Sequence, residues 1–150
     1  MTCIECHWDN LLNDSAGALK LSGVPASYTP GERYPITVAI AHPQLIRSGF
    51  QLSARFENGD NAGTLRAADD RTQTITSDDG RVVYLQHTRS GSMATSKAQA
   101  EWSVDWTAPN GGAVMFHAAG NAANGDASPL GDFIYTASAV ATSAAAATKN

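Results

Sequence analysis

Short runs in which apolar and polar residues alternate make up most of this chain, and each run is closed by turn residues. The closing pairs are Pro30-Gly31, Asn58-Gly59, Asp79-Gly80 and Asn124-Gly125, and Asn110 to Gly112 supplies a further turn. Gly takes positive φ without strain, and Pro and Asn favour turn geometry. Between the turns, stretches rich in β-branched and aromatic side chains predict strands over 33–41, 49–56, 73–76, 82–88, 100–107, 113–119 and 132–139. A helical period of apolar residues shows only weakly, over 10–21 and in the C-terminal tail. Some seven short, evenly spaced strands predict an all-β sandwich.

Period-two alternation assigns faces to these strands. Over 100–107, Trp102, Val104 and Trp106 share one side and Ser103, Asp105 and Thr107 the other, so the two tryptophans read as core anchors. Over 82–87, Val83, Leu85 and His87 fall together, which sets His87 on an otherwise apolar face. Met115 and His117 share one face of 113–119, with Val114 and Phe116 on the other. Residues 138–150 are mostly Ala, Ser and Thr, a frayed terminus or a segment that docks on something.

At 150 residues the chain has the length of one domain with one core. Hydrophobic residues make up 43% and charged residues 16%, which excludes a disordered polyelectrolyte and a coiled coil. The net charge is −4 and no basic patch is visible, so nucleic acid is not an expected partner. No apolar run approaches the ~18 residues of a membrane span. The sequence also lacks a Ser/His/Asp order, a nucleophile elbow, a phosphate-cradling glycine loop and a His-Glu-x-x-His pair, so an enzyme is not expected. Asp69-Asp70 and Asp78-Asp79 fall in expected turns, as solvated carboxylates.

The sharpest chemical signal is Cys3-x-x-Cys6-His7. Two thiols at this spacing can bond the two vinyl-derived carbons of a porphyrin while the adjoining imidazole reaches iron, so the run reads as c-type haem attachment. Cys3 and Cys6 are the expected thioether anchors of one covalent haem c, and His7 is its proximal ligand. Trp8 either shields the haem, lies at a docking face or packs in the core. A thioredoxin-like pair would want a βαβ context, a zinc site would want further ligands, and a disulfide over so short a loop would stabilise little.

For the sixth iron position the favoured residue is His87, at the end of an apolar strand face, with His117, Met93, Met115 and His42 as alternatives. Met115 and His117 lie on a face that either lines a haem or simply packs. Met93 lies in a loop that would have to fold back. His42 precedes Pro43 at a strand end, a place that usually leaves a histidine solvated.

Beyond these readings, the chain resembles the bacterial reelin-like (reeler, or choice-of-anchor) domains. The resemblance runs through Cys3–His7, Val24-Pro25, Tyr28 to Gly31, Tyr34, Gly49 to Leu52, Gly63 to Leu65, Tyr84 to Thr88, Trp102 to Pro109, Phe116 to Gly125, Gly131-Asp132 and Tyr135. It implies an immunoglobulin-like β-sandwich of about seven to nine strands with an N-terminal haem-binding segment. The expected division is 1–22 for haem attachment, 23–140 for the sandwich and 141–150 for an Ala-rich tail, in one domain overall. The function expected is a monohaem c-type cytochrome that transfers single electrons, as an extracytoplasmic carrier or a subunit of a larger redox assembly. Its partner would be another haem protein or a membrane redox complex. The alternatives are a structural or adhesive module and a haem-based sensor of a small gas. Haem is attached to this motif outside the bacterial cytoplasm, so the expected location is the periplasm or the cell surface, with a signal peptide already removed.

Overall fold

The computed structural model describes residues 17–43, 45–93, 98–123 and 133–143. These form two packed sheets. The strands are β1 (Ala18–Ser22), β2 (Ser27–Tyr28), β3 (Arg33–Ala41), β4 (Arg47–Arg55), β5 (Thr64–Ala67), β6 (Thr72–Thr76), β7 (Val83–His87), β8 (Gln99–Thr107), β9 (Val114–Ala123) and β10 (Phe133–Ser143). A four-stranded sheet runs β1-β3-β8-β5 and a six-stranded sheet runs β2-β10-β9-β4-β7-β6. All pairings are antiparallel except β10 with β2.

The core lies between the sheets and is built by alternation. Trp102, Val104 and Trp106 of β8 are fully buried, as are Ile36, Val38 and Ile40 of β3 in the same sheet. From the opposing sheet come Phe50 and Leu52 of β4, Leu85 of β7 and Val114 and Phe116 of β9. The rings interlock: Trp102 lies 4.4 Å from Phe50, and Trp106 meets Phe116 edge-on at 4.8 Å. Tyr28 meets Trp106 edge-on at 5.4 Å. Each indole N–H has a partner, Trp102 donating to the Gly91 carbonyl at 2.8 Å and Trp106 to the Ala62 carbonyl at 3.0 Å. Two large apolar bodies thus enter the core with no orphaned donor.

Three strands lie outside the ranges the sequence predicts. β1 occupies part of the weakly helical stretch; Leu19 and Leu21 both meet the core with the exposed Lys20 between them, a period of two in place of 3.6. Pairing of Ala18–Ser22 with β3 makes this segment part of the sandwich, so the sandwich starts before residue 23. β2 has two residues and β5 four, too short for alternation to show. At the other end β10 extends through Ser143, with Ala141 fully buried, so three residues of the expected tail are strand. Ten strands among the described residues exceed the expected seven to nine for these reasons.

The strand ends fix an axis. Gly17 packs against Tyr135, near the start of β10, and Ala18 pairs with Ala41. Ser143, the last residue of β10, pairs with Tyr28 at the opposite end of the sandwich.

Candidate functional site

Cys3, Cys6, His7 and Trp8 lie outside the described residues. The five residues considered for the sixth iron position are all described, and they fall in two places.

One place is the end of the sandwich where Gly17 begins the described chain. His42 follows β3 there and is 3% exposed, buried instead of solvated. Its ring faces Tyr135 at 6.5 Å between centroids, and a Cβ on Gly17 would lie 3.0 Å from its Cδ2. Its backbone is also committed: the N–H donates to the Ala98 carbonyl and the carbonyl accepts from Leu45, both at 3.0 Å. Met93 lies at the same end, in an isolated bridge to Arg47. Its carbonyl accepts from the Arg71 guanidinium at 3.1 Å while its side chain stays exposed.

The other place is the outer face of the six-stranded sheet. A groove follows β4, formed by two adjoining depressions of about 400 and 430 Å³ that share Gln51. Its floor is low because the outward positions of β4 include Gly49 and Ser53. β7 supplies Tyr84 and Gln86 on one side, and β9 supplies Met115, His117, Ala119 and Asn121 on the other. Gln51 donates to Gln86 across the ladder at 3.3 Å. The Arg55 guanidinium donates to the Tyr84 hydroxyl and lies 5.4 Å from the centre of its ring. Met115 and His117 therefore face outward from the sheet while Val114 and Phe116 fill the core.

His87 closes the end of β7, and its imidazole takes the place of a strand residue. The Phe50 N–H donates to His87 Nδ1 at 3.1 Å, so the ring extends the β4–β7 ladder beyond the last backbone pair, Gln51 with Gln86. Gly49 makes this possible, since a Cβ there would come within 2.9 Å of both ring nitrogens. Nδ1 also lies 3.4 Å from the Phe50 carbonyl, so by its tautomer it either accepts from the one group or donates to the other. The apolar alternation of Val83, Leu85 and His87 thus ends in a backbone-capping role that period alone does not reveal.

The groove itself went unread in the sequence. Its residues come from three strands separated by long stretches of chain, and only His117 and Met115 carry chemistry distinctive enough to notice. Among the described residues no three His, Cys, Asp or Glu side chains are placed to hold a metal ion. Among them also, no helix is long and apolar enough to cross a membrane. Arg81 of the β6–β7 turn pairs with Asp60 of the β4–β5 connection at 2.6 Å, and the Ser77 hydroxyl holds the Asp79 carboxyl below its ordinary range.

No family model matches the chain, and no curated protein does. Solved structures do resemble it. The human F-spondin reeler domain (fragment 1) is 21% identical over 89% of this chain and 96% of its own, with a TM-score of 0.54. The Reelin-N domain of F-spondin is 21% identical over 93% and 96%, with a TM-score of 0.57. A cohesin module from a Clostridium perfringens family 33 glycoside hydrolase is 12% identical over 85% and 96%, with a TM-score of 0.53. At such identities the likeness is one of fold: the chain has the reeler-like, immunoglobulin-like β-sandwich that the sequence led us to expect. Fold alone does not carry function.

Proposed function

We propose that this chain is a non-catalytic binding module, structural or adhesive in role, that presents the outer face of its six-stranded sheet to a partner protein or glycan. The groove along β4 carries this reading. Its planar amides, phenol, imidazole and guanidinium suit hydrogen bonding and stacking on a polar ligand, and a rigid sheet holds them in place. Structures of the same fold include a cohesin module, which supports a binding role. Affinity electrophoresis through soluble neutral and acidic polysaccharides tests the glycan arm. Retardation should be lost in His117→Ala and Gln51→Ala at unchanged melting temperature. Mobility that no polysaccharide alters would leave a protein as the partner, while retardation that survives both substitutions would remove the groove from the function.

A second reading rests on the Cys3-x-x-Cys6-His7 spacing: the module also carries one covalent haem c and works as an extracytoplasmic electron-transfer protein, in the periplasm or at the cell surface. Cys3, Cys6 and His7 would hold the group, which when bound supplies one-electron redox chemistry; another haem protein or a membrane redox complex would exchange the electron. His87, with His117, Met93, Met115 and His42 as alternatives, would offer the further ligand. A pyridine haemochrome assay on protein from a host that matures c-type cytochromes should report one haem per chain. A colourless protein from that host would end this reading and leave the binding module intact.

A further inference from the structure

Among the described residues the two sheets have four edges, and three are protected. β1 carries the exposed Lys20 at its centre, β5 carries the exposed Arg66, and β2 is only two residues long. Charge and brevity are the usual guards against strand addition. β6 has neither. Its sequence, Thr-Gln-Thr-Ile-Thr, is β-prone and without charge, Pro or Gly, and Gln73, Thr74, Ile75 and Thr76 are all exposed.

The register shows which backbone groups are free. Thr88 N–H donates to the Arg71 carbonyl at 2.9 Å, and Ser77 N–H donates to the Val82 carbonyl at 2.8 Å. With Gln73 opposite Gln86 and Ile75 opposite Tyr84, the residues bonded to β7 are the odd-numbered ones. In an antiparallel ladder the alternate residues point away. The N–H and C=O groups of Thr74 and Thr76 therefore face outward from the sheet edge.

The ends of the strand select the occupant. Asp69-Asp70 precede β6 and Asp78-Asp79 follow it, all exposed. Arg71 is turned to the carbonyls of Ser90, Gly91 and Met93, and Arg81 to Asp60, so neither cation pairs with Asp70 or Asp78. A second copy of this chain paired antiparallel about Thr74 would set Asp70 against the second copy's Asp78 at both ends, which is repulsive. A segment with basic flanks meets attraction at both ends instead.

From this we infer that β6 is a strand-addition site for an extended, uncharged, β-branched segment of a partner polypeptide flanked by Lys or Arg. Backbone bonds to Thr74 and Thr76 give the affinity, and the two aspartate pairs give the preference. This site is independent of the groove on the sheet face.

The probe is a synthetic peptide with a Thr-Val-Thr-Val-Thr core and Lys-Lys at each end, titrated into the full chain and followed by calorimetry and amide exchange. The peptide should bind, and its Asp-flanked counterpart should bind ~10-fold more weakly or worse. On binding, the Thr74 and Thr76 amides should become protected while Gln73 and Ile75, already bonded to β7, change little. Thr74→Pro removes an outward donor at an edge that tolerates proline, and should weaken binding ~10-fold; Thr74→Val keeps the backbone and should bind normally. Asp70→Asn with Asp78→Asn should erase the preference between the two peptides. No binding, equal binding of both peptides, or protection absent at Thr74 and Thr76 would each overturn the proposal, with the exchange readout standing even if Thr74→Pro does not fold. Concentration-dependent dimers of the unaltered chain that protect the same amides would give the edge to a second copy instead.

Discussion

β8 and β6 are both strands of this sandwich, and they sit at opposite extremes of it. β8 is an inner strand, paired on both edges and buried on one face, and its nine residues alternate Trp102, Val104 and Trp106 against polar neighbours. Among the described residues β6 is an edge strand, paired once and exposed over four of its five residues. The difference separates two tasks. Side chains do the work in β8, where volume and shape decide stability, while in β6 the backbone is the exposed chemical surface and side chains mainly leave it uncovered.

Truncating the buried strand gives the largest expected effect. Trp106→Ala removes a fully buried ring that meets Tyr28, Tyr34 and Phe116, and should cost about 3–5 kcal/mol by urea denaturation, whereas Thr74→Ala on β6 should change stability by about 0.5 kcal/mol or less. Equal losses would erase the contrast between the two strands. An intermediate effect lies where β4 meets β7. Gly49→Ala forces a methyl group into the His87 imidazole and should cost about 1–3 kcal/mol, and adding His87→Ala should restore part of that loss in a double-mutant cycle. Additive losses would show that the ring does not rest on Gly49.

The smallest effect sits in the turn after β6. The Ser77 hydroxyl and the Arg81 N–H bond to the Asp79 carboxylate and lower its pKa below the ordinary 3.8. A carboxyl depressed in the folded state adds stability that is fully present above its unfolded pKa and is lost as pH falls through the folded value. Urea midpoints for the unaltered chain should therefore fall more steeply below pH ~4 than those of Ser77→Ala. Parallel acid limbs would show that this bond contributes nothing to folding.

Much of the fold was legible in the sequence because burial on one face writes a period of two into it. The strand over 33–41 is found at those bounds, and the two tryptophans are in the core. β1, β2 and β5 were not legible: one lay in a stretch where Leu spacing also admits a helix, and two were too short to show a period. The Cys3-x-x-Cys6-His7 spacing stands out in sequence because it lies within a few neighbouring residues. The role of His87 is not, because it depends on the Phe50 N–H and the bare Cα of Gly49 across a ladder. Nor is the free edge of β6, since a strand becomes an edge only through the order in which all the others pair.

The axis defined by Gly17 and Ser143 has a mechanical consequence. A load applied between those two residues pulls β1 and β10 along their own lengths in opposite directions. Their hydrogen bonds to β3 and β9 run across the strands. Such a force shears many bonds together and cannot peel them off in turn, so the sandwich resists tension along its length far better than a pull applied at a hairpin tip.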